Sequence, residues 1–357
     1  MSKDPSRLDH LLAALRAALP SGAVLAGGDI PLVHYSDWSG AGAVKPLAVV
    51  RPQDTAQIAA TLKLCNEMKV AVVPHGGLTG LAGGAQPLGD GIVLTLSRLD
   101  AIEKIDLAAS TVTVQAGITL QALQEALAAQ GLIFGVDLTP RGSCQIGGLL
   151  ACNAGGLGVI QHGTMRAQVL GLEVVLANGD ILPMRALPKN NTGYDLAQLF
   201  IGSEGTLGII SRAVLKVLPA PTARVTVLLA LPGFSNALQL LTLLRQRLPQ
   251  QIAAFEIMWM DFLDAVRRWV PVSFPFQQTP PLAALIEFTG DEGERLQHIV
   301  EQVLVEGFEK NWISDAVIAA SLAQAGQLWK LRDCVADLFV NMRPVNFDLS
   351  LPINRIG

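Results

Sequence analysis

The sequence predicts an α+β protein with two domains, and three observations support this prediction. Its 357 residues exceed the usual size of one hydrophobic core, because domains hold about 100–200 residues. Half of the residues are hydrophobic and only 16% are charged, which is typical of a chain that buries large cores. Apolar runs of strand length alternate with amphipathic segments, and Pro219-Ala-Pro221 marks a break between them. The predicted domains are 1–220 and 221–357.

The first domain is predicted to contain strands and helices separated by glycine-rich segments. Asp54 stands as a capping acid before an amphipathic segment, which favours a helix there. The dipeptide Asn178-Gly179 separates two apolar runs and predicts a tight β-hairpin. The predicted strands are 47–53, 70–73, 92–96, 111–115, 172–176, 181–184 and 213–218, and the predicted helices are 54–65 and 120–129.

The second domain has fewer glycines and a more regular alternation of strands and helices. Its predicted strands are 223–231, 255–259 and 282–288, and its predicted helices are 235–248, 261–269 and 293–306. Alternation at this spacing predicts a compact α+β domain in which the helices cover one face of a sheet.

The charge balance and the hydropathy exclude several classes of function. The net charge is −4, with 26 Lys and Arg against 30 Asp and Glu, and no basic run offers a footprint for nucleic acid or anionic lipid. No apolar run approaches the ~20 residues that a membrane-spanning helix needs. The N-terminal segment also lacks the unbroken apolar region of a signal peptide, so we expect a cytoplasmic protein without a transmembrane segment.

Cysteines and histidines show no metal-binding pattern. The four cysteines have neither CxxC spacing nor the density of a disulfide framework, and none of the five histidines stands at ligand spacing from another. We therefore expect reduced thiols and no metal site. The residues concerned are Cys65, Cys144, Cys152 and Cys334, and His10, His34, His75, His162 and His298.

Residues 74–91 contain seven glycines between two predicted strands. Glycine allows consecutive backbone amides to converge on phosphate oxygens, because it has no Cβ and adopts positive φ easily. The spacing is neither that of a Walker A loop nor that of a dinucleotide-binding fingerprint, and no predicted helix follows it. No Lys or Arg lies between Lys69 and Arg98, so a bound diphosphate would depend on backbone amides. A glycine-rich surface loop is the alternative interpretation, and the presence of three such segments favours a shared ligand.

Five phrases in fixed order carry a resemblance to a known family. They are Pro74-x-Gly-Gly-x-Thr-Gly-Leu-x-Gly-Gly84, Gly142-Ser-Cys-x-Ile-Gly-Gly148, Cys152-Asn-Ala-Gly-Gly156, Gly171-Leu-Glu-Val-Val-Leu-Ala-Asn-Gly179 and Asn191-Thr-Gly-Tyr-Asp-Leu-x-Gln-Leu-Phe-Ile-Gly-Ser-Glu-Gly-Thr-Leu-Gly-Ile-Ile210. Together they resemble the FAD-binding domain of the vanillyl-alcohol oxidase (PCMH) type. Within that type they are most similar to the FAD-dependent D-2-hydroxyacid dehydrogenases, the group that acts on D-2-hydroxyglutarate, D-lactate or glycolate.

The resemblance implies a PCMH-type FAD-binding domain of two subdomains, followed by an α+β substrate (cap) domain with an antiparallel sheet. It implies that residues 76–81 wrap the FAD pyrophosphate, that 142–148 and 153–156 line the flavin ring and ribityl chain, and that 204–209 contact the adenine side or the ring edge. Some members of the superfamily attach FAD through a histidine, but at His75 we expect non-covalent binding. The residues assigned to FAD are Pro74, Gly76, Gly77, Leu78, Thr79, Gly80, Leu81, Gly84, Gly142, Ser143, Cys144, Ile146, Gly147, Asn153, Ala154, Gly155, Gly163, Glu204, Gly205, Gly208 and Ile209.

The resemblance also implies the reaction, in which a base removes the hydroxyl proton and a hydride leaves the substrate for flavin N5. Arg332 corresponds to the arginine that binds the substrate carboxylate, a role that suits its bidentate geometry. Two positions depart from the hydroxyglutarate enzymes, namely Ala336 in place of a threonine and Asn346 in place of a lysine. The family continues for roughly a hundred residues beyond Gly357, with the histidines and glutamate of the metal site and base. The second domain is therefore expected to be incomplete, and the catalytic base stays unassigned.

Two functions follow as hypotheses. In the first, the chain oxidises a 2-hydroxyacid and passes the electrons to a quinone or an electron-transfer protein, and it can form a homodimer. In the second, it is a flavin-binding chain without turnover of its own, which requires a partner or the further C-terminal segment. An NADPH-dependent reductase on the same fold is disfavoured, because the phrases after residue 140 match the hydroxyacid enzymes better.

Overall fold

The computed structural model describes residues 5–184, 186–187, 190–335, 337–338, 342, 347 and 349–357, with side chains from residue 8 onward. Its mixture of helices and sheets confirms the predicted α+β class. The described residues form two compact units. The first unit comprises the chain up to residue 156 together with 163–219, and the second unit comprises 157–162 together with 220–357.

The helices and strands follow one another along the chain, with α5 and everything from β12 onward in the second unit. In order they are α1 (Pro5–Ala18), β1 (Val24–Ala26), β2 (Ala48–Val50), α2 (Thr55–Glu67), β3 (Val72–His75), β4 (Ile92–Thr95), β5 (Ile102–Asp106), β6 (Thr111–Gln115), α3 (Leu120–Ala128), β7 (Leu132–Ile133), α4 (Ile146–Ala151), α5 (Val159–His162), α6 (Met165–Gln168), β8 (Val169–Val175), β9 (Ile181–Met184), α7 (Ala197–Phe200), β10 (Ile209–Lys216), β11 (Leu218–Pro219), β12 (Ala223–Leu231), α8 (Phe234–Arg247), β13 (Ile252–Trp259), α9 (Met260–Trp269), β14 (Leu282–Gly290), α10 (Gly293–Glu309), β15 (Asp315–Ile318) and α11 (Leu322–Asp333).

The described residues of the first unit form two larger sheets, as the two-subdomain prediction requires, and a two-stranded pairing of β11 with β7. A four-stranded sheet has the order β1-β2-β4-β3, in which β2, β4 and β3 are parallel. A five-stranded antiparallel sheet has the order β5-β6-β10-β8-β9. The largest core cluster of the unit joins the second sheet to α2, α3 and α4, and a smaller one lies between α1, α2 and the first sheet.

Two local predictions for the first unit are confirmed. The Asp54 carboxylate accepts a hydrogen bond of 2.8 Å from the Gln57 amide, so it caps α2 and satisfies one of the amides left open at a helix start. Strands β8 and β9 pair as an antiparallel hairpin around Asn178-Gly179, and Gly179 has a φ of 87°. Such a φ is what a tight hairpin turn demands of this position.

The second unit is built on one antiparallel sheet with the order β13-β14-β12-β15. Helices α8 and α10 pack against one face of this sheet, and α9 and α11 pack against the other. The prediction that helices cover only one face is therefore wrong. The cause is visible in β12 and β14, where nearly every residue is buried, because a continuously apolar strand requires cover on both faces.

No described helix is both long enough and apolar enough to cross a membrane.

Candidate cofactor site

The first unit brings together three glycine segments that are far apart in the chain. The first glycine segment (74–84) follows β3, the second (142–156) leads into and out of α4, and the third (202–209) leads into β10. Each segment contains one non-glycine residue with a positive φ: Leu78 at 59°, Asn153 at 48° and Glu204 at 52°. Such conformations store strain of order 1–3 kcal/mol each and concentrate at functional sites.

The first and second segments touch backbone to backbone. A Cβ placed on Gly77 would overlap the carbonyl oxygen of Ser143, and one placed on Gly76 would lie 3.3 Å from Gly148 Cα. Only glycine allows this approach, because any side chain would push the two segments apart.

The third segment packs against the first at two places. Gly205 has a φ of 75°, and a Cβ there would overlap the ring of Pro74. A Cβ on Gly84 would lie 2.7 Å from Glu204 Oε2. The three segments therefore converge, although the sequence pattern predicts only that each is glycine-rich.

The second and third segments are also joined by backbone hydrogen bonds at the end of α4. The Gly202 amide donates to Leu150 O at 3.0 Å, and the Glu204 amide donates to Ala151 O at 2.9 Å. The second of these bonds satisfies a carbonyl that would otherwise be open at the end of the helix, whereas Leu150 O also accepts from the Asn153 amide at 3.0 Å.

The backbone amides of the first segment have no partners of their own. Among the described residues, no carbonyl or side chain accepts a hydrogen bond from any amide between Gly76 and Ala85. A run of open amides in a turning backbone is an anion-binding surface. The segment can therefore hold phosphate oxygens without a cationic side chain.

Two further features test whether FAD fits these residues. Gly80 has no atom within 4 Å of its Cβ position and no positive φ, so the outer surface of the first segment is open to a ligand. Gln145 Oε1 is buried without a hydrogen-bond partner, 3.8 Å from the Cβ position of Gly76. FAD offers phosphate oxygens to the amides and hydroxyl or N–H donors to this acceptor. The amide donors and the Gln145 acceptor therefore match the hydrogen-bonding groups of FAD.

His75 lies at the start of the first segment and is fully buried. Its Nδ1 lies 3.2 Å from His34 Nδ1, and the two rings stack with centroids 5.5 Å apart. Burial, together with His34, lowers the pKa of His75 to about 4, and burial together with Arg51 lowers the pKa of His34. His75 is therefore an uncharged ring that supports the segment from within.

The residues that sequence analysis assigned to FAD occupy different environments. Pro74 lies in β3, one residue before its end, while Gly76, Gly77, Leu78, Thr79, Gly80, Leu81 and Gly84 form the open loop. Gly142 and Ser143 form the turn before α4, Asn153, Ala154 and Gly155 follow α4, and Glu204, Gly205 and Gly208 precede β10. Gly163 lies between α5 and α6 with a φ of 76°, and its Cβ position faces Ala167 rather than the other segments.

Four of the assigned residues are packed inside the first unit. Cys144, Ile146 and Ile209 are buried in the hydrophobic core, and burial raises the pKa of the Cys144 thiol to about 11. The amide of Gly147 donates to Ala116 O at 2.6 Å. The side chains of the first three stabilise the site from behind, so the surface offered to a ligand comes from their neighbours.

Arg332 lies in the second unit, on α11. Its Nε donates to Glu256 Oε2 at 2.8 Å, and its Nη1 lies 3.5 Å from Asp333 Oδ1. The side chain remains one third exposed. Its assignment to a substrate carboxylate stays a prediction, and the neighbouring positions Ala336 and Asn346 lie outside the described residues.

Sequence reasoning missed two polar residues of the site. Gln145 occupies the variable position of a glycine phrase, and its buried amide oxygen could not be inferred from the phrase. Arg166 stands between the second and third segments: its backbone amide donates to Asn153 Oδ1 in the second segment, and its guanidinium donates to Ile201 O just before the third. The only signal in the sequence is that Arg166 is a lone cation between the glycine phrases. Within the described ranges no group of three or more His, Cys, Asp or Glu could hold a metal ion.

Comparison with known proteins agrees with this arrangement. A family model described as an FAD binding domain matches residues 46–185, and one described as the C-terminal domain of FAD linked oxidases matches residues 220–357. A D-2-hydroxyglutarate dehydrogenase of Xanthomonas citri pv. viticola is 39% identical over 328 residues, which cover 91% of this chain and 68% of that protein.

Other relatives carry similar names. The mitochondrial D-2-hydroxyglutarate dehydrogenase of Bos taurus is 36% identical and covers 97% of this chain and 63% of that protein. A protein of Schizosaccharomyces pombe named as a mitochondrial D-lactate dehydrogenase is 34% identical and covers 89% and 61%. The chain thus spans about two thirds of the length of these relatives. A solved structure of alkyldihydroxyacetonephosphate synthase has a TM-score of 0.74 at 20% identity and covers 95% of this chain and 64% of that one, which supports the fold.

Proposed function

The chain belongs to the FAD-linked oxidase family that includes D-2-hydroxyglutarate dehydrogenases, and on that premise we propose that it binds FAD non-covalently and oxidises a D-2-hydroxyacid to the 2-oxoacid. The substrate belongs to the D-2-hydroxyglutarate, D-lactate or glycolate class, and the electrons pass to a quinone or an electron-transfer protein. The cytoplasmic location and the homodimer stay predictions.

One observation carries the cofactor part of the proposal, namely the run of open amides from Gly76 to Ala85. The convergence of the three glycine segments gives this run a defined shape, and because the chain has no Lys or Arg between Lys69 and Arg98, the amides are the phosphate ligands that this segment offers. Non-covalent binding is favoured by His75, because this fully buried ring is already engaged with His34 and cannot reach a ligand on the outer surface.

The reaction removes two electrons and two protons from the substrate. The hydroxyl proton leaves to a base, and the hydrogen on C2 leaves as a hydride while the C–O bond becomes a carbonyl. Bound FAD supplies the acceptor, at flavin N5, and is reduced. In this chain Arg332 would orient the substrate through its carboxylate, and Glu256 holds the guanidinium at Nε so that its exposed edge is presented in one direction.

The first experiment tests the cofactor. The purified chain is incubated with FAD and separated from free flavin, and its visible spectrum is recorded before and after denaturation in acid. We expect a yellow protein whose flavin is released entirely on denaturation. Flavin that stays with the precipitated polypeptide would contradict non-covalent binding, and a colourless protein would overturn the whole proposal.

The second experiment tests the reaction. The FAD-loaded chain is mixed anaerobically with D-lactate, D-2-hydroxyglutarate, D-malate or glycolate, with the L-enantiomers of the chiral acids as controls. We expect one of the acids, and the D form where it is chiral, to remove the visible absorption of oxidised flavin and to yield the 2-oxoacid in equal amount. A yellow protein that none of these acids reduces would overturn the dehydrogenase proposal and leave FAD binding in place.

A further inference from the structure

Arg166 connects the second glycine segment to the residues that lead into the third, although it belongs to none of the phrases that resemble the family. It lies in the short helix α6, between the second and third segments. Its backbone amide donates to Asn153 Oδ1 at 3.0 Å. Its guanidinium donates to Gln198 O at 2.7 Å, to Gln198 Oε1 at 2.8 Å and to Ile201 O.

The contacts of Arg166 fall where the backbone adopts positive φ. Asn153 is the residue of the second segment with a positive φ, and its side chain is held by the Arg166 amide. Ile201 O immediately precedes Gly202, which has a φ of 83°. A Cβ on Gly202 would lie 3.4 Å from Asn153 Cβ and 3.5 Å from Arg166 Nη2. The guanidinium thus lies at the point where the second and third segments meet.

The chemistry of these contacts suits arginine and not lysine. The acceptors are the amide oxygen of one side chain and two backbone carbonyls near the end of α7, and a planar fork can serve all three at once. A lysine ammonium is a point charge on a flexible stem and cannot hold this spacing. Among the described residues no carboxylate lies within ion-pair distance of Arg166. Its guanidinium therefore hydrogen-bonds to two backbone carbonyls and one side-chain amide oxygen instead of forming an ion pair.

We propose that Arg166 is a positioning residue of the cofactor site, which fixes the second glycine segment against the third through Asn153, Gln198 and Ile201. This inference rests on the proposed binding of FAD. It goes further in assigning the shape of the site to one residue, whose backbone amide holds Asn153 while its guanidinium holds Gln198 and Ile201 O, and which need not touch the cofactor. At metal sites, residues that hold the ligands in place typically change affinity about 10–100-fold when they are replaced, and we expect an effect of the same order for Arg166.

The test compares Arg166→Lys and Arg166→Ala with the unchanged chain and with Arg212→Ala. Arg212 is a matched control, because it lies in the same unit and pairs with Glu103 and Glu173 instead of the glycine segments. FAD affinity is measured by fluorescence titration, and thermal unfolding is followed without FAD. We expect both Arg166 variants to bind FAD at least about 10-fold more weakly, and Arg212→Ala to bind it as the unchanged chain does.

Two readouts separate positioning from a general loss of stability. Hydrogen exchange without FAD should be faster at the Gly202 and Glu204 amides in Arg166→Lys, and unchanged there in Arg212→Ala. Millimolar guanidinium should restore FAD binding to Arg166→Ala, and sodium chloride at equal ionic strength should not.

Several outcomes would overturn this inference alone. They are unchanged FAD affinity in Arg166→Lys, unchanged exchange at Gly202 and Glu204, or an equal loss of affinity in Arg212→Ala. If the unchanged chain itself failed to bind FAD, the proposed function would fall and this inference with it, so the two failures are distinguishable.

Discussion

The two units of this protein treat their buried polar groups in opposite ways. In the second unit the buried Glu287 accepts hydrogen bonds from Trp329 Nε1 at 3.0 Å and Thr226 Oγ1 at 3.3 Å, and it pairs with Arg224. In the first unit several buried polar atoms have no partner in the described part of the chain: Asp37 Oδ2, Arg51 Nε, His75 Nε2, Gln86 Oε1 and Gln145 Oε1.

This difference distinguishes a self-sufficient fold from one built around a ligand. An unpaired buried polar group costs about 1–3 kcal/mol, so native proteins leave few of them. His75 and Gln86 flank the open loop of the first glycine segment, and Gln145 lies behind it. In the described part of the second unit the buried polar groups find partners within the unit, whereas the first unit leaves donors and acceptors open, three of them around the site that we propose for FAD.

The largest loss of stability and of FAD binding is expected from a substitution where the glycine segments touch. The change Gly77→Ala places a methyl group on the Ser143 carbonyl, so the first and second segments must separate. We expect destabilisation by about 3 kcal/mol or more and loss of FAD binding. Denaturant unfolding and an FAD titration measure the two effects.

Gly80→Ala is the matched control for this change, because its Cβ would meet no protein atom within 4 Å. Its unfolding free energy should stay within about 0.5 kcal/mol of the unchanged chain. If Gly77→Ala were as stable as Gly80→Ala and bound FAD equally well, the convergence of the two segments would not matter for the cofactor.

A smaller loss of stability is expected when the pH is lowered. The pKa of His75 falls from its ordinary value of 6.5 to about 4 on folding, so between these values the unfolded chain binds a proton that the folded chain does not. The stability from this group is therefore complete above pH 6.5 and declines as the pH falls to about 4. The total loss is about 3 kcal/mol. Denaturant unfolding at a series of pH values measures it.

The variant His75→Phe removes this titrating group and should flatten the pH dependence. Some slope should remain, because burial also lowers the pKa of His34 and of His162. Replacement of the exposed His298 by Gln is the control and should leave the slope unchanged. An equal slope in His75→Phe and in the unchanged chain would contradict the assignment of a buried uncharged ring.

The smallest loss of stability is expected from a substitution in the second unit. The change Glu287→Ala leaves the donors of Trp329 and Thr226 without their acceptor, and we expect a loss of about 2 kcal/mol in unfolding free energy. Glu287→Gln keeps an acceptor and should lose about half as much. FAD affinity should not change in either variant. Reduced FAD affinity with normal stability would break the contrast drawn between the units.

Much of the local structure could be predicted because it depends on residues close in sequence. Asp54 reveals the start of α2, Asn178-Gly179 reveals the β8–β9 hairpin, and the alternation after Pro221 reveals six elements of the second unit, although β15 and α11 were not predicted. The helices on both faces of the second sheet were missed. The continuous burial of β12 and β14 carries that signal, but a run of apolar residues does not state which elements will cover it.

The site could be predicted only in part. The phrases identify the glycine segments, and through the resemblance they identify FAD as the ligand. They do not reveal that Ile146 and Ile209 point into the core, that Gln145 presents a buried acceptor or that Arg166 joins two segments. Each of these facts depends on contacts between residues that are far apart in the chain, and the composition of a phrase contains no such distance.

By itself the sequence determined many of the helices, strands and turns of this protein, and it showed where glycine leaves the backbone accessible. These properties follow from local sterics and from the periodicity of apolar residues. Only the tertiary structure decided that Gly77 meets Ser143, that Gly205 meets Pro74 and that His75 is an uncharged ring. The physical reason is that close approach and desolvation are properties of neighbours in space, and folding alone brings those neighbours together.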